Sequence, residues 1–133
     1  MNQCIGTAGI PWGDEEKTQW LAQQTIQRSY QEEVLSQLAD LPEGLERVQY
    51  GALSYDAKRY PLFLIKNKRW DDKKPCVLIT GGVHGYETSG VHGALRFIHT
   101  KAQDYPQFNL LIAPCVSPWG YDCLLYTSDA ADE

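Results

Sequence analysis

Residues 76–116 hold the pattern that most narrows what this chain can fold into. CVLIT at 76–80 is a short apolar run opened by Pro75, and a turn rich in glycine follows it. The stretch ETSGVHGALRFIHTKAQ then has the length of a helix, with Val91, Ala94, Leu95 and Ile98 at the spacing of one inward face. A second apolar run, FNLLIAPCV at 108–116, completes the unit. Runs without polar alternation suit strands buried on both faces, and a crossover of this length joins parallel strands. The fold class expected is therefore α/β, with CVLIT as a buried central strand.

Upstream, LERVQYGAL and RYPLFLIKN flank SYDAK, whose Asp56 and small neighbours suit a hairpin loop, so two early antiparallel strands are expected. The charged stretch 66–74 reads as a solvated connection. Before the hairpin, a long helix is predicted from Asp14, which would cap it. Trp20, Leu21, Gln24, Ile26, Tyr30, Val34, Leu35 and Leu38 roughly share one face, and LPEG at 41–44 ends the helix. At 133 residues the chain has room for one core and one domain.

Composition narrows the partners. The formal charge of −5 gives no electrostatic basis for binding nucleic acid or an anionic membrane, and no stretch approaches a membrane span. The N-terminus has neither the basic nor the apolar region of a secretory signal, so a cytoplasmic location is expected. Four cysteines, at 4, 76, 115 and 123, lack the CxxC spacing of a thiolate zinc cluster and read as reduced thiols.

Chemistry concentrates in HGYE. His84 follows the first buried strand after Gly81 and Gly82, and Glu87 stands where the helix begins. Ligand sites of α/β sheets lie at this C-terminal edge of parallel strands. Three positions apart across a turn, an imidazole nitrogen and a carboxylate can converge on one zinc ion. The structural alternative gives His84 a helix cap and sets Glu87 against the helix dipole. The glycines match neither GxGxxG nor a phosphate loop.

Further ligands are not supplied nearby. His92 is rotated about 140° from Glu87 at about 100° per residue, and His99 about 120°, so neither joins easily. Cys76 begins the strand at the wrong edge, and Cys115 reads as core. Two ligands do not make a catalytic zinc, which takes three protein ligands and an open position.

The stretches GGVHGYETSGVHGALRFI and NLLIAPCVSPWGYD resemble the M14 family of zinc metallocarboxypeptidases, the carboxypeptidase A-like fold, over about residues 45–122. His84 and Glu87 stand in the places of that family's H-x-x-E ligand pair. The resemblance implies a mixed α/β sheet, a zinc ion held by His, Glu and a later His, and a distant Glu as general base for a metal-activated water. It also implies an Arg for the substrate's terminal carboxylate. All the later residues would lie beyond SPWGYD. Ser117 departs from the family's usual Asn. Arg96 reads as a solvated surface residue, and Ser117, Trp119 and Tyr121 as a turn with an aromatic packed over it.

Residues 123–133, CLLYTSDAADE, resemble no protein family but the translated read-through of a sequencing-library adapter. The expectation is an N-terminal fragment at 1–122 with a non-native tail at 123–133. Position 122 is then Asp or Glu, and without the tail 14 acidic residues face 12 basic ones. The implied function is a carboxypeptidase acting on a peptide or small acyl-amino-acid substrate, with this fragment inactive for want of a third ligand and base. An amidohydrolase of the aspartoacylase or desuccinylase type is a variant, and a non-catalytic α/β binding module is the alternative. Stopping after Tyr121 would also leave an apolar edge and face of the sheet uncovered.

Overall fold

In a computed structural model, residues 4–125 are described. The first element is helix α1, Asp14–Gln23, and a short π-helical turn, Gln31–Leu35, runs into a 3-10 turn, Ser36–Leu38. Strands β1, Leu45–Ala52, and β2, Pro61–Asn67, form a hairpin. Strand β3, Cys76–Thr80, helix α2, Thr88–Thr100, and strand β4, Asn109–Ala113, follow, and α3, Pro118–Cys123, comes last.

The sheet order is β1-β2-β4-β3, with β1 and β4 antiparallel to β2 and β3 parallel to β4. The mixed sheet and the β3–α2–β4 unit agree with the α/β expectation. So does the hairpin, whose loop closes through Asp56: its carboxylate accepts the Arg59 amide and its carbonyl the Tyr60 amide. Val91, Ala94, Leu95 and Ile98 are the buried face of α2.

Three expectations are corrected. The long helix is divided: Gln24 is extended, and only Tyr30, Val34, Leu35 and Leu38 of the expected face are buried. The cause is tertiary. The amides of Gln27 and Arg28 donate to the Asp122 carbonyl and the Tyr30 amide to the Asp122 carboxylate, so these donors leave the helical ladder. Gly13, not Asp14, is the N-cap, with its amide donated to Glu16 Oε2 at 2.9 Å.

β3 is likewise not central among the described residues. It is the outer strand beside β4, and Cys76, Leu78 and Thr80 point outward. The register explains this. Ile65, Ile112 and Ile79 lie across one face, where α2 and the 31–38 turns pack with Leu110, Leu45 and Val34. Leu64, Leu111, Leu78 and Val48 lie on the other face, outside that core. Leu78 is 63% exposed there, despite belonging to an unbroken apolar run.

Candidate metal centre

The loop after β3 is built around close backbone approaches. The Gly81 amide donates to the Ala113 carbonyl, and the amides of Val116 and Ser117 donate to the carbonyls of Gly81 and Gly82. These bonds extend the β3–β4 pairing past both strand ends. Gly82 has φ +63°, a left-handed conformation that disfavours a side chain. At Gly85 the reason is space, since a Cβ there would fall 2.0 Å from the Gly120 backbone. Gly85 thus seats the loop directly on α3, while Gly81 and Gly82 pack it against Gly90, Val91, Pro114 and Cys115.

His84 and Glu87 close the turn, with the Glu87 amide donating to the His84 carbonyl at 3.3 Å. Glu87 occupies the N-cap of α2, but its side chain makes no capping hydrogen bond. The carboxylate is therefore not consumed by the helix end. Its Oε2 lies 3.9 Å from His84 Nδ1, with the Glu87 side chain 59% exposed and that of His84 25%. That separation is too long for a hydrogen bond. Two donors each about 2.1 Å from one tetrahedral ion stand about 3.4 Å apart, so the pair would close by about 0.5 Å to share a metal.

The pair opens into a cleft of about 680 Å³ lined by Thr80, Gly82, His84, Tyr86, Glu87 and Ser89. A smaller pocket of about 190 Å³, between α1, the hairpin loop and α3, contains neither residue. Among the described residues, no group of three or more His, Cys, Asp or Glu gathers to hold a metal. The structure thus brings together the two predicted ligands and, among the described residues, adds no third.

The residues set aside as ligands have other occupations. His92 Nε2 lies 3.2 Å from both Arg28 Nη2 and Tyr121 Oη, and a ring nitrogen of His99 lies 2.9 Å from the Gln37 carbonyl. Arg96 is exposed. Cys115 is buried, and desolvation foremost, with the nearby Asp122 charge, pushes its thiol pKa up to about 12. Trp119 packs edge-on to Trp20 at 5.9 Å and against Tyr55 at 5.5 Å.

Two polar clusters were not foreseen. In one, the Asp122 carboxylate, 1% exposed, accepts from the Tyr30 amide, Tyr60 Oη and Arg59 Nε, with Arg59 Nη2 3.0 Å away. In the other, Glu33 binds Arg28 through both oxygens and accepts from Tyr121 Oη at 2.5 Å. Their members lie as far as 92 residues apart in sequence, so no local spacing announces them. Burial foremost, and then the carboxylate each one faces, raises the pKa of Tyr60 and Tyr121.

With this geometry in place, the class follows from likeness of fold. The chain has a metallopeptidase-like α/β fold. It resembles crystal structures of three Shewanella proteins, each named only provisionally as a metallopeptidase. The one from Shewanella denitrificans is 23% identical with a TM-score of 0.56, the likeness covering 70% of this chain and 34% of that one. The Shewanella amazonensis protein is 27% identical at 0.54, covering 62% and 30%. The Shewanella baltica protein is 24% identical at 0.56, covering 70% and 33%. The chain thus spans about a third of the length of these proteins. No protein-family profile matches it, and no curated protein does.

Proposed function

We propose that the intact protein is a zinc-dependent metallocarboxypeptidase of the M14 type, with His84 and Glu87 as two of the metal's protein ligands. The observation that carries this reading is the 3.9 Å approach of His84 Nδ1 to Glu87 Oε2 at an open cleft beyond β3. The sequence resemblance supplies the finer step from metallopeptidase to carboxypeptidase. Zinc, when bound, supplies the Lewis acidity that activates water and polarises the scissile carbonyl.

This chain's own contribution is placement. His84 offers an imidazole nitrogen and Glu87 a carboxylate that no helix cap engages, while Gly85 allows the loop that carries them to pack on the Gly120 backbone. The third ligand, the general base and the Arg for a terminal carboxylate belong downstream of Tyr121 in this reading. The substrate is a peptide or a small acyl-amino acid, and the location cytoplasmic.

The test begins with the uninterrupted genomic frame past Tyr121, amplified and resequenced, and the protein expressed from it. A frame running on through a His, an Arg and a Glu, with release of C-terminal residues from a peptide that stops on chelation and returns with zinc, is the expected result. A frame that ends after Glu133, or a zinc-loaded protein inert to peptides and acyl-amino acids, would overturn the proposal. The 133-residue chain itself is expected to be inactive.

A further inference from the structure

We infer that Arg28 is a positioning residue for the metal pair, holding the first turn of α2 so that Glu87 keeps its place beside His84. The inference rests on the reading of His84 and Glu87 as metal ligands.

The guanidinium is itself fixed before it touches α2. Nε lies 2.9 Å from Glu33 Oε2 and Nη2 3.2 Å from Glu33 Oε1, a two-point pairing that sets the plane of the fork. The Tyr121 ring lies beneath it, 5.4 Å from the guanidinium carbon, and the Tyr121 hydroxyl donates to the same Glu33 carboxylate. The Arg28 amide donates to the Asp122 carbonyl at 3.0 Å, so the backbone is tied as well.

Two remaining donors then reach α2. Nη1 donates to Thr88 Oγ1 at 3.2 Å, and Nη2 has His92 Nε2 at 3.2 Å. Thr88 adjoins Glu87 in the chain, and His92 lies one turn further along the helix. One planar cation thus bridges positions i and i+4 of the turn that begins at Glu87. Helix ends fray when their first groups lack partners, and Glu87 supplies no cap of its own.

The other half of the pair has the same reference. His84 sits in the loop that Gly85 seats on Gly120, while Arg28 lies over Tyr121 one residue further on. Both ligands are therefore located with respect to α3, His84 through packing and Glu87 through Arg28. Metal affinity depends on the distance between the two donors, which any shift of the first turn of α2 would change.

The experiment titrates Co(II) into the protein expressed from the uninterrupted frame against a chromophoric chelator, comparing wild type with Arg28→Lys, Thr88→Val and Glu87→Ala. Hydrogen exchange at the amides of residues 88–90 is followed in the metal-free forms. Arg28→Lys keeps the charge and loses the fork, whereas Thr88→Val removes one contact at constant volume. The expected result is about a tenfold loss of affinity for Arg28→Lys and a smaller loss for Thr88→Val. Amides 88–90 should exchange faster in both variants, and thermal midpoints should stay close to that of wild type.

Equal cobalt affinity for wild type, Arg28→Lys and Thr88→Val, with a loss for Glu87→Ala, would overturn the role of Arg28 and leave the metal pair standing. Cobalt binding that is absent, or indifferent to Glu87→Ala, would overturn the metal pair and the inference with it. Unchanged exchange at amides 88–90 would separately remove the clamp.

Discussion

The turn carrying His84 and Glu87 and the segment carrying Tyr121 and Asp122 touch through Gly85 and Gly120, yet their polar groups live in opposite surroundings. Asp122 is buried and saturated: two side-chain oxygens and a carbonyl accept from Tyr30, Arg59, Tyr60, Gln27 and Arg28. Glu87 stands half in water, and its carboxylate is not engaged by the helix it caps. A carboxylate used to hold segments together is surrounded by donors, because an unpaired buried charge is costly. One kept for a ligand remains accessible. The first is an anchor and the second the proposed metal ligand.

The sharpest way to break that contrast is Asp122→Ala. It removes the acceptor of a buried amide, a buried tyrosine hydroxyl and a half-exposed arginine, and should cost about 3 kcal/mol in urea unfolding. A loss below about 0.5 kcal/mol would put Asp122 on a level with ordinary surface residues.

Gly85→Ala probes the contact between the two regions. Its Cβ would meet the Gly120 backbone at 2.0 Å, so the loop must lift off α3, at about 1–3 kcal/mol and with weakened metal binding. Unchanged stability together with unchanged cobalt affinity would show that the loop is not referenced to α3.

Glu33 gives a pH signature. Its side-chain bonds to Arg28 hold its carboxyl pKa below the ordinary value, because they favour the ionised form in the folded chain. The resulting stabilisation is complete above the ordinary carboxylate value near 4.5 and is lost as pH falls through the lowered one. Glu33→Gln should therefore flatten the acid limb of stability, and an acid limb of unchanged slope would contradict this. The smallest expected effect is at the proposed metal pair. His84→Ala and Glu87→Ala should each shift stability by within about 0.5 kcal/mol while abolishing cobalt binding.

What was legible in the sequence follows from the range of the forces involved. The β3–α2–β4 unit, the inward face of α2 and the placement of His84 and Glu87 after the strand depend on local patterns, and the structure has them. The break after Gln23 does not: nothing between 24 and 29 forbids a helix, and the competing acceptor is Asp122, far along the chain. The position of β3 escaped for a different reason. CVLIT is apolar on both faces, and such a run reads as central whether or not anything covers it. Arg28 and Glu33 carried no signal, because a charged pair five residues apart on a polar stretch looks solvated until Thr88, 60 residues from Arg28, and Tyr121, 88 from Glu33, are known to meet it.

The open sheet face has a practical meaning for anyone handling this polypeptide. Val48, Leu64, Leu111 and Leu78 lie on four strands, two of them parallel, on the side opposite the core, with the Lys66–Glu46 ion pair among them. Parallel pairs are ordinarily sheathed on both sides. A preparation of this chain alone offers that apolar wall to whatever it meets first: another copy, a chaperone or a detergent monomer. Its recoverable yield will be governed there rather than at His84 and Glu87.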